Sequence, residues 1–155
     1  MTKRRKPIKT TTKTTEFLRE RGYEVANVEK FVQQIRQRKD AFGWIDLLAI
    51  RPSTISPTIG IQCCADDGGS GVSAHMTKLE GLPLFRVWTM CEHRAALIFA
   101  WGRRAGTGRM RITPRVFSWW SGDWKDVTEV FVAMPITNPK PKKKRLTRPR
   151  GERDD

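Results

Sequence analysis

FGWIDLLAI, residues 42–50, decides how the rest of the chain is read. Phe42-Gly43 breaks what precedes it, and Trp44 to Ile50 follows as a near-continuous apolar run interrupted by one charge, Asp46. A short run of this kind fits a strand buried on both faces. A second run, IGIQCC (Ile59 to Cys64), follows after a loop from Arg51 to Thr58 that holds two prolines. Two neighbouring buried strands joined as a hairpin is the economical arrangement.

Alternation along these strands singles out Asp46. In an extended chain it shares a face with Trp44, Leu48 and Ile50, an apolar row in which a lone carboxylate costs roughly several kcal/mol or stays protonated. Gln62 shares a face with Gly60 and Cys64, so it can meet Asp46 across the hairpin and form an oxygen site. Glu16, on a helix expected upstream, could add a second carboxylate and the backbone carbonyl of Cys63 a further oxygen. That is the hard ligand set Mg²⁺ or Mn²⁺ prefers. The plainer alternative for Asp46 is a carboxylate at a sheet end, hydrogen-bonded to a loop. For Glu16 it is a solvated helix charge, and for Cys63 and Cys64 small buried apolar residues.

Working outward, Lys13 to Arg21 reads as a helix with Thr14 or Thr15 at its start and Gly22 as its stop. Tyr23 to Phe31 reads as a first strand, and Val32 to Asp40 as polar and irregular. Ala65 to Val72 is a Gly- and Asp-rich loop, after which Ser73 caps a helix to Glu80 that carries His75 and Lys78. Leu84 to Met90, Ala95 to Trp101 and Arg109 to Val116 read as three further strands. Trp44, Trp88 and Trp101 belong to the core, whereas Trp119, Trp120 and Trp124 form a separate cluster. Val127 to Met134 fits either a last strand or a short helix. The order helix, three strands, helix, strand and then more strands describes an α/β fold, a mixed β-sheet sandwiched by helices with extra C-terminal strands.

The 155 residues bound the chain to one core, and its formal charge of +14 favours a polyanionic partner. Eleven of those charges lie in Met1 to Lys13 and Asn138 to Asp155. Residues 1–12 and 138–155 are therefore expected as basic disordered arms around a domain of residues 13–137. Lys3, Arg4, Arg5, Lys6, Arg36, Lys39, Lys142, Lys143, Lys144 and Arg145 are the candidates for gripping nucleic acid, DNA above all. Three cysteines, two of them adjacent, suit neither a disulfide framework nor a CxxC zinc site, which points to a reducing cytoplasm. With no long apolar run, no membrane partner is expected.

FGWIDLLAI, then IGIQCC, then a helix with Ser73 and Lys78 resemble the PD-(D/E)XK nuclease superfamily, and within it the small phage and Holliday-junction-resolvase-like members. The family pattern is a helix with Glu, a strand with Asp, and a strand with Glu or Gln, one residue, then Lys. The resemblance implies a restriction-endonuclease-like core, metal-dependent cutting of DNA such as branched recombination intermediates, and room for a homodimer. It implies a host cytoplasm if the chain is phage-encoded. By position, Glu16 and Asp46 match the metal carboxylates and Gln62 the Glu or Gln of the third motif. Cys64 stands where the catalytic Lys belongs, and a thiol neither orients water nor stabilises a phosphate as Lys does. Lys78, on the helix after the Gln62 strand and three residues from His75, is the best migrated substitute; Lys30 and Lys39 are weaker ones. Two other functions remain beside the nuclease: an inert nucleic-acid-binding protein on the same fold, and a basic structural or packaging protein.

Overall fold

The computed structural model describes residues 7–32, 37–52, 56–66, 68, 71–105 and 110–139. Among them are four helices and a mixed six-stranded sheet, with a separate two-stranded pair. The chain begins with α1 (Thr10–Arg19), then β1 (Glu24–Asn27), the small pair β2 (Lys30–Val32) and β3 (Gln37–Lys39), and β4 (Leu47–Ile50) and β5 (Thr58–Ala65). It continues with α2 (Gly71–Glu80), α3 (Pro83–Thr89), β6 (Arg94–Ala105), β7 (Met110–Trp120), β8 (Asp123–Asp126) and α4 (Thr128–Ala133). The sheet order is β1-β4-β5-β6-β7-β8, with β5 and β6 parallel and every other neighbour antiparallel.

Strand alternation divides the core in two. Leu47, Ala49, Ile59, Ile61, Cys63, Phe99 and Trp101 point to one face, where they meet Leu18 of α1 and Phe131 of α4. Cys64, Ala96, Ile98, Ala100 and Phe117 point to the other, under Val72 and Leu79 of α2 and Phe85 and Trp88 of α3. The turn carrying Trp44 packs on this second face: a Cβ on Gly60 would lie 2.7 Å from the Trp44 ring. Only glycine on β5 lets that indole lie against the sheet. Trp44, Trp88 and Trp101 are buried as expected, Trp119 and Trp124 cover the second face, and Trp120 is exposed.

The expected hairpin of Trp44–Ile50 with Ile59–Cys64 is present as β4 and β5. Other boundaries are corrected. The first helix starts at Thr10 rather than Lys13, and Ile8 packs against the core ahead of it. The second starts at Gly71, so Ser73 lies inside it and is not its cap. Val32 to Asp40 is not wholly irregular, since Gln37–Lys39 pairs with Lys30–Val32. Leu84 to Met90 is a helix, not a strand. Pro83 sits in its first turn, and Phe85 and Trp88, three apart, both turn inward while Leu84 and Val87 stay exposed. Val127 to Met134 resolves as the helix α4, whose Phe131 faces the sheet.

One polar cluster ties α1 to the sheet. The Thr14 hydroxyl, fully buried, accepts from Trp101 Nε1 at 2.8 Å, contacts Cys63 Sγ at 3.4 Å and donates to the Thr10 carbonyl at 3.0 Å. Thr14→Val keeps the shape and strands the indole N–H, so it should cost about 1–3 kcal/mol in urea unfolding. A change below the error of the measurement would mean that the indole finds another acceptor.

Candidate functional site

The site begins at the bend before β4. The Asp46 N–H donates to the Ile61 carbonyl at 2.9 Å and its own carbonyl accepts from Val28 at 3.0 Å, which fixes the backbone between β1 and β5. The residue is 5% exposed, and Oδ2 accepts from Gln62 Nε2 at 2.7 Å and from the Cys63 N–H at 2.6 Å. The pairing of Asp46 with Gln62 across the hairpin is thus present. In a strand the N–H and C=O of one residue leave on the same side, so the Cys63 carbonyl also faces the Asp46 side. The Cys63 thiol turns the other way, toward Thr14, and burial pushes its pKa far up, which leaves it a neutral core group.

Two further carboxylates meet Asp46. Ligand oxygens of Glu29, Asp40 and Asp46 lie within 4.8 Å of one another. Asp40 arrives by a tight turn: Ala41 and Ile45 bridge in both directions at 3.0 and 2.9 Å, around Phe42 and Gly43 at φ 55° and 78°. The bridge brings residues 40 and 46 to the same mouth. Glu29 follows an Asn27 side chain that accepts from the Glu29 N–H at 2.9 Å. Burial is the main reason the Asp46 pKa rises to about 7. The Cys63 N–H opposes the rise, and the nearby Asp40 and Glu29 add to it.

Gln62 is equally buried, and its Oε1, opposite the amide that serves Asp46, has no partner among the described residues. Glu16 is not one of the three clustered carboxylates. Thr14 and Leu18 are the inward positions of α1, and Glu16 instead lines an open depression of about 750 Å³ together with Glu29, Asn27 and Arg19. Cys64 is buried in the second core, where its thiol is packed. Lys78 is exposed on α2, one turn from the half-buried His75. Burial and Lys78 lower the His75 pKa while Asp40 raises it, so the imidazole stands within electrostatic reach of both. Its Nδ1 is buried without a partner among the described residues.

Of the basic residues expected to grip nucleic acid, Lys39 is exposed on β3. Lys3, Arg4, Arg5, Lys6, Arg36, Lys142, Lys143, Lys144 and Arg145 lie outside the described residues, as do most of both expected arms. Glu29 and Asp40 went unseen in the sequence. The one available signal was that Asp40 stands directly before the Ala41-Phe42-Gly43 turn. Among the described residues no helix is long and apolar enough to cross a membrane. No known protein family matches the chain, and no curated protein or solved structure is significantly similar to it.

Proposed function

We propose that the chain is a metal-dependent nuclease of the PD-(D/E)XK kind acting on DNA, with Asp46 at its centre. The observation that carries this reading is the convergence on Asp46 Oδ2 of Gln62 Nε2 at 2.7 Å and the Cys63 N–H at 2.6 Å, beside the carboxylates of Glu29 and Asp40. The order α1, β1, β4, β5, α2, β6 supports it, since Asp46 at the bend leading into β4 and Gln62 on the adjacent β5 lie between two helices.

The donors fit a hard cation. Asp46, Asp40 and Glu29 bring carboxylate oxygens within 4.8 Å of one another, the hard donors that Mg²⁺ or Mn²⁺ prefers. Burial, with a smaller push from Asp40 and Glu29, raises the Asp46 pKa, and a cation beside the three carboxylates would offset that cost. Mg²⁺ or Mn²⁺ held here would supply the polarisation of the phosphodiester and an activated water. The chain's own contribution is to hold Asp46 in place through Gln62 and Cys63, and to offer the Lys78 ammonium to the phosphate from α2.

Cleavage of branched, single-stranded and duplex DNA by the purified chain in Mg²⁺, Mn²⁺ or EDTA tests the reading. Cutting should require the metal, and Lys78→Ala should slow it by about 100-fold. Cutting undiminished in EDTA would overturn it. One observation favours a second reading, DNA binding without hydrolysis: the thiol of Cys64, buried where the lysine belongs. In that case EDTA leaves binding intact and no substrate is cut.

A further inference from the structure

β6 and β7 are longer than the sheet that holds them. β5 stops pairing at Ala65, opposite Trp101, and β8 pairs only with Phe117 to Trp120. Gly102 to Ala105 and Met110 to Thr113 therefore pair with each other alone among the described residues, as a two-stranded ribbon running past the sheet. Gly102 marks its base, where the Asp66 backbone approaches so closely that a Cβ would lie 2.5 Å from the Asp66 carbonyl.

The ribbon is arginine-rich in a way that folding alone does not favour. Arg104 and Arg111 are directly opposite one another, a cross-strand pairing of like charges that destabilises a ladder. Arg115 joins them on the same face, and Arg103 occupies the other, opposite Ile112. Asp66 pairs with Arg104 and lies 4.0 Å from Arg115, which also meets Asp126 at 3.5 Å. Arg111 is exposed and has no carboxylate partner among the described residues. Met110 and Ile112 are exposed beside it.

Position gives this charge a use. β5 and β6 run parallel, and Cys63, which touches Asp46, pairs with Phe99. Arg104 is five residues further along β6, roughly 17 Å at strand rise. The carboxylate cluster and the ribbon thus share the carboxyl end of the parallel pair, the end where open α/β sheets bind their ligands. A two-stranded ribbon also has the width that the major groove of duplex DNA admits.

We propose that the ribbon of β6 and β7 is a metal-independent DNA-binding element that holds the phosphodiester backbone of a duplex through Arg103, Arg104 and Arg111 and leads it to the carboxylate cluster. It goes beyond the hydrolytic reading, because holding phosphates needs neither metal nor chemistry.

The test is binding of a short labelled duplex by the full chain in EDTA across a salt series. Arg111→Ala should lower the slope of log affinity against log salt by about one, and Arg103→Ala with Arg111→Ala by about two. The double variant should bind about tenfold more weakly at moderate salt. Arg111→Lys, which keeps the charge, should retain the wild-type slope. Wild-type slopes in both alanine variants would overturn the proposal, as would a loss confined to anionic lipid vesicles. If Arg111→Lys fell as far as Arg111→Ala and both melted earlier, the arginine would be structural and the proposal would fail. A chain that binds through the ribbon but cuts nothing would leave this inference standing and remove the hydrolytic reading instead.

Discussion

Asp46→Asn is expected to abolish metal-dependent cleavage, by about 1000-fold or more, in a protein that still folds and still binds DNA in EDTA. Asparagine is the informative replacement because it preserves what the fold asks of this position. Its side-chain oxygen can accept from Gln62 Nε2 and the Cys63 N–H as Asp46 Oδ2 does, at 2.7 and 2.6 Å. What it removes is the negative charge and one hard oxygen from the trio with Glu29 and Asp40. Cleavage rates with Mn²⁺, read beside a thermal melt, separate lost chemistry from lost structure. Unchanged cutting by Asp46→Asn would put the catalytic centre elsewhere and sink the proposed function. Glu16→Gln, by contrast, should cost far less than Asp40→Asn, because Glu16 lines the depression beside Glu29 but is not one of the clustered carboxylates.

The contrast between Gln62 and Asp40 shows what a sequence can carry about such a site. Gln62 was legible because strand alternation is local: two apolar runs, one carboxylate and one amide sufficed to set the pair across a hairpin. The core tryptophans were legible for the same reason, each standing within an apolar run. Asp40 was not, since its approach depends on a turn closed by the Ala41–Ile45 bridge, with the non-glycine Phe42 at φ 55°, and Glu29 was not, since it arrives from the turn after β1 that the Asn27 side chain closes. A left-handed phenylalanine has no sequence signature. The Leu84 to Met90 helix was misread because a run that is apolar on nearly every position hides its period. Only the inward Phe85 and Trp88, seen against the exposed Leu84 and Val87, reveal a helical face. The ribbon's arginines were in plain view, but their pairing depends on a register that places Arg104 opposite Arg111.

Metal-free protein should lose stability as pH rises, and added Mn²⁺ should restore it. The Asp46 pKa is raised from 3.8 to about 7 in the fold, so the folded state binds this proton more tightly than the unfolded chain does. The stability it contributes is full below about pH 4, declines as pH rises toward 7 and is gone above it. Wild type should therefore melt several degrees earlier at pH 8 than at pH 5, the direction set by burial of the carboxylate. His75 works in the opposite sense: its pKa is lowered, so its contribution is present at high pH and lost as pH falls. The difference between wild type and Asp46→Asn therefore reports the coupled titration of Asp46 with Asp40 and Glu29, and the variant, neutral at position 46, should melt later than wild type at pH 8 in EDTA. A cation that binds only the ionised cluster must displace the proton, so Mn²⁺ should stabilise wild type more at pH 8 than at pH 5 and do little for Asp46→Asn. Melting curves at both pH values, with EDTA or Mn²⁺, read all of this at once. Parallel pH dependence in the two proteins would mean that Asp46 is as well solvated in the fold as out of it. Equal stabilisation of both by Mn²⁺ would place the cation away from the cluster.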